Sequence, residues 1–171
     1  MKIAENDMPF ELPLDRECQI VDFHPSGIWA IEKACGILSH PNRNSENKRV
    51  LLHSSYDFDL EKYHWVDAKG NEREFHLVHR LDSATSGLIL GVSRIDVAEK
   101  LKAAFSSRDV KKTYFAMVAY NGRPVRPIWK DFLQKNPSKG KIRVTSGKTG
   151  DSAITSVSIQ RKTSTRFGNL A

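Results

Sequence analysis

The chain has 171 residues, enough for one domain with a hydrophobic core, and its 39% hydrophobic and 27% charged residues are typical of a globular protein. No apolar run approaches the ~18 residues of a membrane span, and the N-terminal sequence lacks the apolar region of a signal peptide. These features argue against a membrane protein and predict a cytoplasmic one. Cys18 and Cys35 lack metal-binding spacing and are predicted to be free thiols.

The net charge of +7 is concentrated in one part of the chain. Residues 94–148 contain 14 Lys or Arg against 4 Asp or Glu, a net of +10, whereas the remainder has a net of −3. A basic block of this kind predicts a polyanionic partner. A solvated surface that merely keeps the protein in solution is the alternative, and charge alone leaves it open.

In chain order, residues 1–16 are polar and contain two prolines, so we expect an extended, weakly ordered N-terminal arm. Strands are predicted at 19–23 and 28–32, on either side of a turn at 24–27. Ser45 could cap a helix that reaches about residue 54. Residues 56–66 have no clear period, and the turn residues at 67–71 predict a hairpin.

The central stretch, residues 75–92, reads FHLVHRLDSATSGLILGV. Two apolar runs flank Arg80, Asp82 and a glycine-containing turn that ends at Gly87. If the first strand persists to Asp82, its period of two places Arg80 and Asp82 on the same side. A carboxylate beside a guanidinium stays ionised, so it can act as a nucleophile.

The second half predicts a helix at 94–106 with Ser93 as its N-cap and with Ile95, Ala98, Leu101 and Phe105 facing a sheet. Further strands are predicted at 112–120, 125–133, 142–145 and 153–160. The expected fold class is α+β, with a mixed, largely antiparallel sheet and flanking helices in one domain over residues 17–171.

Three motifs resemble those of one enzyme family. The pattern His79-Arg80-Leu81-Asp82-x-x-Thr85-Ser86-Gly87 is similar to the signature of the RluA-type pseudouridine synthases. Residues 33–40, KACGILSH, resemble the family's Lys-Pro-x-Gly stretch with Ala34 in place of proline. Residues 112–116, KTYFA, resemble its Lys-x-Tyr-x-Ala segment.

The resemblance implies an RNA pseudouridine synthase, with structured RNA such as rRNA or tRNA as its partner. It implies that Asp82 is the nucleophile, that Arg80 enters the space left by an extruded base or pairs with Asp82, and that Tyr114 contacts the base. We expect RNA contacts from Arg80, Lys111, Lys112 and Lys33, with Lys33 alternatively structural. Structural support is expected from His79, Leu81, Thr85, Ser86 and Gly87, and Asp82 could alternatively be a turn-capping residue.

We expect neither a cofactor nor a metal, and a monomer. Ser146-Gly147-Lys148-Thr149 resembles the end of a phosphate loop, but Gly140 is too far upstream of it. His76 and His79 would point to opposite faces of a strand, which disfavours a shared metal ion and a metal-dependent hydrolase. The absence of a convincing second catalytic carboxylate disfavours glycoside hydrolysis.

The family pattern continues into a Gly-Arg-x-His-Gln-x-Arg segment, whose arginine is expected to pair with the nucleophile. This sequence ends at Ala171, about where that segment should begin. A truncated chain and a reduced relative both remain open. The alternative function is therefore a non-catalytic RNA-binding module, or an inactive fragment that keeps the fold.

Overall fold

The computed structural model describes residues 8–43, 49–138, 141–165 and 168–170. The chain divides into two compact units, Met1–Lys112 and Thr113–Ala171. Within the described ranges, no helix is both long and apolar enough to cross a membrane. The single catalytic domain expected over residues 17–171 stays a prediction.

The first unit is built on a six-stranded antiparallel sheet with the order β1-β2-β6-β5-β4-β3. Its strands are β1 (Gln19–His24), β2 (Ile28–Lys33), β3 (Ser55–Asp57), β4 (Lys62–Val66), β5 (Glu72–Leu77) and β6 (Gly87–Val92). One helix, α1 (Ile95–Ser106), follows β6. The α+β class with a largely antiparallel sheet is thereby confirmed.

The predicted turns form as expected. Gly27 has φ of 90° and its amide donates to the His24 carbonyl over 2.8 Å, which closes the β1–β2 turn. The Asp67 carboxylate accepts the amides of Lys69 and Asn71, each over 2.9 Å, and closes the β4–β5 hairpin. These hydrogen bonds, first that from Asn71, hold the pKa of Asp67 well below its usual range.

The core lies on both faces of the sheet, because side chains alternate along each strand. Trp29, Ile31, Phe75 and Ile89 are fully buried on one face. Gly91 shares the face of Ile89, and a Cβ there would lie 2.2 Å from the Phe75 ring. A glycine at this position therefore leaves the room that the ring of Phe75 fills.

Helix α1 covers the other face, where it packs against Val78 and Val92. Ala98 is buried, and Leu101 and Phe105 pack as predicted, together with Val97. Two details of the prediction are wrong. Arg94, not Ser93, is the N-cap, because the Ser93 hydroxyl turns back to the Gly27 carbonyl. Ile95 is 57% exposed.

Residues 1–7 of the arm predicted at 1–16 lie outside the described residues, but from Met8 onwards the segment is packed against the core, which is not the weak order predicted for it. Leu12 and Asp15 are buried, and Leu14 forms an isolated bridge with Leu52. The start of the helix predicted at 45–54 lies outside the described residues. From Arg49 to Ser54 the chain is not helical, because the Leu51 amide and carbonyl bond to Leu38 and Asp15.

The second unit contains a three-stranded antiparallel sheet of order β8-β7-β9 and a small hairpin. Its strands are β7 (Ile128–Ser138), β8 (Lys141–Gly147), β9 (Asp151–Ser156), β10 (Thr163–Thr165) and β11 (Gly168–Leu170). The strand predicted at 112–120 is wrong, because these residues form only an isolated bridge, Ala119 to Leu170. Phe115 and Met117 are 87% and 79% exposed.

Candidate functional site

Strand β5 ends before the residues predicted to carry the chemistry. It pairs with β6 only through His76 and Leu77, so Arg80 and Asp82 lie beyond the strand. The chain leaves the sheet where the His79 imidazole takes the place of a backbone partner and accepts the Leu90 amide over 2.9 Å. The period-of-two argument that put Arg80 and Asp82 side by side is therefore wrong.

His79 is held between the sheet and helix α1. Its ring stacks on Phe105 with a centroid distance of 4.8 Å, and the Lys112 ammonium lies 6.0 Å from the Phe105 ring centre. Burial lowers the pKa of His79, and the positive charge of Lys112 lowers it further. A neutral imidazole is also what the Leu90 amide requires, because its Nε2 must accept a proton.

Two sequence segments that are far apart in the chain join to form the base of the candidate site. We call residues 33–40 the lysine segment and residues 79–87 the aspartate segment. The buried Ser39 hydroxyl donates to the Leu81 carbonyl over 2.7 Å and accepts the Leu81 amide over 3.0 Å. The Gly36 amide donates to the Ser83 carbonyl over 2.6 Å, and the Cys35 thiol to the Ala84 carbonyl over 3.4 Å.

Lys33 lies at the centre of this junction and is fully buried. Its ammonium donates to the carbonyls of Ile37, Ala34 and Ser83 over 2.8, 3.1 and 3.4 Å. Burial lowers the pKa of Lys33, and the negative charge of Asp82 is among the influences that oppose this shift. The enclosed ammonium contradicts the prediction of an RNA contact and leaves the structural alternative.

Asp82 is exposed at the first position of the turn that the lysine segment supports. The Thr85 amide donates to the Asp82 carbonyl over 3.0 Å, and Gly87, with φ of 127°, begins β6. The main chain of Asp82 is thus fixed while its carboxylate is open to a ligand. Buried Leu81 anchors the segment just before it. Within the described ranges, no ion pair joins Asp82 to Arg80.

The Arg80 side chain contacts His40 instead. Its Nη1 donates to His40 Nε2 over 3.1 Å, while His40 Nδ1 donates to the Pro41 carbonyl over 2.8 Å. A neutral imidazole with its proton on Nδ1 satisfies both bonds. Arg80 is exposed and forms part of the wall of a cavity.

The remaining predicted residues are partly or fully exposed. Tyr114 is 60% exposed and belongs to the second unit, and Lys111 and Lys112 are exposed at the end of the first. Thr85 is half-buried and Ser86 is exposed. The roles proposed for these residues stay predictions.

No cluster of three or more His, Cys, Asp or Glu side chains is placed to hold a metal in the part of the chain that the structure describes. His76 is buried and its Nε2 lies 3.5 Å from a Glu74 carboxylate oxygen. Ser146 belongs to β8 and its hydroxyl donates to Asp131 over 3.0 Å. The segment that resembles a phosphate loop therefore begins in a β-strand.

Sequence reasoning missed three residues of the site. Ser39 and His40 belong to the KACGILSH segment, but nothing in that segment indicated that they would bond to Leu81 and Arg80. Tyr56 stacks on His40 with a centroid distance of 5.3 Å and an interplanar angle of 13°. The one available signal was the concentration of aromatic residues at 56–66, which had no period that could assign it to a strand.

Comparison with known proteins finds relatives that are named pseudouridine synthases. The profile of a family described as RNA pseudouridylate synthase matches residues 27–167. A ribosomal large subunit pseudouridine synthase C from Rickettsia felis is 41% identical over 157 residues, which are 90% of this chain and 47% of that protein. The dual-specificity RNA pseudouridine synthase RluA from Yersinia pestis is 35% identical over 100 residues, 58% of this chain and 42% of that protein.

The chain thus spans less than half the length of these curated relatives. Among solved structures, human RNA pseudouridylate synthase domain containing 4 has a TM-score of 0.50. It shares 18% identity over 79% of this chain and 51% of its own, so it is evidence for the fold alone.

Proposed function

Because the chain belongs to the RNA pseudouridylate synthase family, we propose that it isomerises specific uridines in structured RNA. The observation that carries the proposal is the exposed Asp82, whose turn is locked to the lysine segment by Ser39, Gly36 and Lys33. A carboxylate on a fixed main chain with an open side can meet a nucleoside without a reorganisation of the loop.

The reaction breaks the N1–C1′ bond of uridine, rotates the base and forms a C5–C1′ bond. No redox change occurs, and no cofactor is part of the proposal. Asp82 either attacks C1′, as a glycosidase carboxylate does, or assists at the ring, and it is regenerated when the C5–C1′ product forms. Tyr114 is proposed to contact the base and to relay the proton that leaves C5; a proton ends on N1, so the product is an isomer of the substrate and the tyrosine is regenerated.

Arg80 is proposed to occupy the space that an extruded uridine leaves in the RNA. Extrusion costs a few kcal/mol, because the base must be unstacked. A planar guanidinium can stack on the neighbouring bases and restore part of that energy. Arg80 now donates one hydrogen bond to an imidazole nitrogen of His40, and it can exchange this bond for contacts with RNA.

We propose rRNA or tRNA as the substrate, a location in the cytoplasm and a monomeric protein. The name of the Rickettsia felis relative refers to the large ribosomal subunit, which supports rRNA. Exposed Lys111 and Lys112 lie in the basic block and are proposed to contact phosphates.

The first test maps pseudouridines in total RNA from cells that lack the gene and from cells complemented with it. We expect one or a few sites to disappear in the deletion and to return on complementation. Asp82→Asn should restore none of them, because it removes the nucleophile's charge with little change in volume. The purified Asp82→Asn protein should still bind RNA within a few-fold of the wild type.

Asp22→Asn is the matched control, because it makes the same chemical change at an exposed position on strand β1. It should restore the modification fully. Pseudouridine at the same sites in cells that carry only Asp82→Asn would disprove the role of Asp82 as nucleophile. An unchanged map in the deletion strain would contradict the proposed function itself.

A further inference from the structure

A concave site of about 250 Å³ lies beside the aspartate segment. Its lining combines aromatic rings, two guanidinium groups and one carboxylate, contributed by His40, Pro41, Asn42, Arg43, Tyr56, Phe58, Glu61 and Arg80. Arg80 lies two residues before Asp82, so the cavity adjoins the turn that carries the proposed nucleophile. Asp82 itself does not line it.

Planar groups dominate the cavity wall. The Tyr56 ring stacks on His40 and meets Phe58 edge to face, with a centroid distance of 5.2 Å and an interplanar angle of 82°. The Arg43 guanidinium lies 5.0 Å from the centre of the Phe58 ring. Single-stranded RNA is bound by such groups, because every base can stack on an aromatic ring or on a guanidinium plane.

The wall is anchored to the core, so the cavity is preformed. Tyr56 contacts Tyr63 edge to face at 4.8 Å, and the Tyr63 hydroxyl donates to the Ser39 carbonyl over 2.8 Å. Burial raises the pKa of Tyr56 to about 12, so its hydroxyl stays protonated at neutral pH. The residue that clamps the aspartate segment, Ser39, thus also supports this wall.

The charged groups of the cavity favour an anionic ligand with a polar edge. Arg43 and Arg80 are exposed cations, with Arg43 in a surface ion pair to Asp59 at 2.9 Å. Glu61 is paired with Lys102 of helix α1 at 3.1 Å, which offsets its charge. Exposed pairs of this kind are weak and exchange readily for a phosphate group.

The size of the cavity limits its occupant. A cavity of about 150 Å³ holds a benzene-sized ring, whereas drug-sized ligands need about 300–1,000 Å³. A volume of about 250 Å³ therefore suits one nucleobase. A single nucleotide combines a planar ring of this size with a negative charge.

We propose that this cavity binds a second, unpaired nucleotide of the RNA, separate from the uridine that reaches Asp82. Its base stacks against the ring wall that includes Phe58, and its phosphate pairs with Arg43. The subsite rests on the proposed function, because that function supplies RNA as the partner. Through this subsite the protein recognises the loop that carries the target uridine, because binding requires a second extruded nucleotide at a fixed distance from that uridine.

The test measures binding of the 171-residue chain to a hairpin RNA whose loop consists of adenosines around a central uridine. Each loop adenosine is replaced in turn by an abasic nucleotide, and affinity is measured by fluorescence anisotropy. At one loop position, removal of the base should weaken wild-type binding about five- to hundredfold, the range of one base–aromatic stack. Phe58→Leu and Arg43→Gln should bind the intact RNA less tightly and respond far less to that abasic position.

Phe23→Leu and Arg49→Gln are the matched controls. Phe23 is an aromatic residue on β1, at the opposite edge of the sheet from β3, and Arg49, which lies outside the basic block, has an exposed ion pair to Glu17 at 2.9 Å, the distance found for Arg43 and Asp59. Both controls should keep the wild-type profile. The Arg43→Gln result stands even if Phe58→Leu fails to fold, because Arg43 is on the surface.

Phe58→Leu and Arg43→Gln with wild-type affinity and profile would overturn the subsite. The subsite would also be overturned if the two variants lost affinity by the same factor for every RNA, whichever base is absent. Only phosphate contacts would then be involved. Neither outcome decides the proposed function, because that function is tested separately by the pseudouridine map of the deletion strain. An unchanged map in the deletion strain, with the expected abasic profile, would contradict the catalytic function and leave the subsite in place.

Discussion

At the scale of single residues, the site depends on polar side chains that replace backbone partners. His79 accepts the Leu90 amide where β5 has left the sheet, and Ser39 bonds both polar groups of the Leu81 main chain. Buried polar groups are costly unless they are paired, so these contacts determine the path of the chain between Leu77 and Asp82. The same reasoning accounts for the three carbonyl groups around the buried Lys33 ammonium.

His79 should make the protein less stable in weak acid. Burial lowers its folded-state pKa below 6.5, so between that pKa and 6.5 only the unfolded chain takes up the proton. The contribution of His79 to the free energy of unfolding is therefore fully present above pH 6.5 and is lost as the pH falls through this window. His79→Gln keeps an acceptor for Leu90 but does not titrate. Urea unfolding at pH 7.5 and 5.5 should show a larger loss for the wild type than for His79→Gln.

The comparison between the two proteins matters because His76, whose pKa is also lowered by burial, contributes in the same direction. The difference between wild type and variant isolates the contribution of His79. An equal loss in both proteins would show that the proton on His79 is not coupled to folding.

At the scale of elements, hydrogen bonds join the lysine and aspartate segments, although Ser39 and Leu81 are 42 positions apart in the chain. Their hydrogen bonds join the end of β2 to the start of β6, strands that are already neighbours in the sheet. Pairing of these strands therefore brings the two motifs together. The turn that carries Asp82 is supported by the sheet and does not depend on its own sequence alone.

Ser39→Ala should destabilise the protein by about 1–3 kcal/mol, because it leaves the Leu81 amide and carbonyl without their partner in a buried site. The free energy of unfolding from urea titration is the measurement. Ser106→Ala removes an exposed hydroxyl that donates to Lys102 at the end of helix α1. This control should change stability by less than about 0.5 kcal/mol.

If Ser39→Ala lowers the free energy of unfolding no more than Ser106→Ala does, Ser39 does not hold the Leu81 main chain in place. Complementation with Ser39→Ala should also reduce pseudouridine formation more than Ser106→Ala does, since Asp82 would lose its fixed main chain.

At the scale of the whole molecule, the two units differ in how much they bury. Trp29, Ile31 and Phe75 of the first unit are fully buried. Of the residues from Thr113 onwards whose burial the structure describes, none is buried, and Trp129, Phe132 and Ile154 of its sheet are about half exposed. Local stability follows the apolar surface removed from water.

Amide hydrogen exchange should therefore be far slower in the central strands β2 and β6 than in β7 and β9. Mass spectrometry of peptic peptides after timed labelling is the measurement, since both sheets are hydrogen-bonded and differ mainly in burial. Comparable protection in the two sheets would contradict the stability difference inferred from burial.

Charge is the other property of the whole molecule, and it should govern RNA affinity. The net +10 of residues 94–148 predicts that the affinity falls steeply as salt rises, because bound phosphates release counterions. Lys111→Gln should weaken binding and reduce the slope of log affinity against log salt by about one.

Lys69→Gln is the control for this titration, because Lys69 lies in the β4–β5 turn outside the basic block. It should keep the wild-type slope. A salt response that is flat for the wild type would contradict the basic block as the RNA-binding surface.

The sequence by itself determined the features that depend on neighbours in the chain. The strand segments of β1, β2 and β6, the turns at Gly27 and Asp67 and the helical spacing of Ala98, Leu101 and Phe105 are local patterns. The motif around Asp82 belongs here too, since the family it indicated is the one that the chain matches.

Only the tertiary structure decided where β5 ends, that Lys33 is enclosed and that Arg80 contacts His40. It also decided that residues 112–120 form no regular strand, although their run of apolar residues suits one. The physical reason is the same in each case. A strand end, a buried charge or a side-chain partner depends on which distant groups supply hydrogen bonds, and periodicity along the chain contains no record of them.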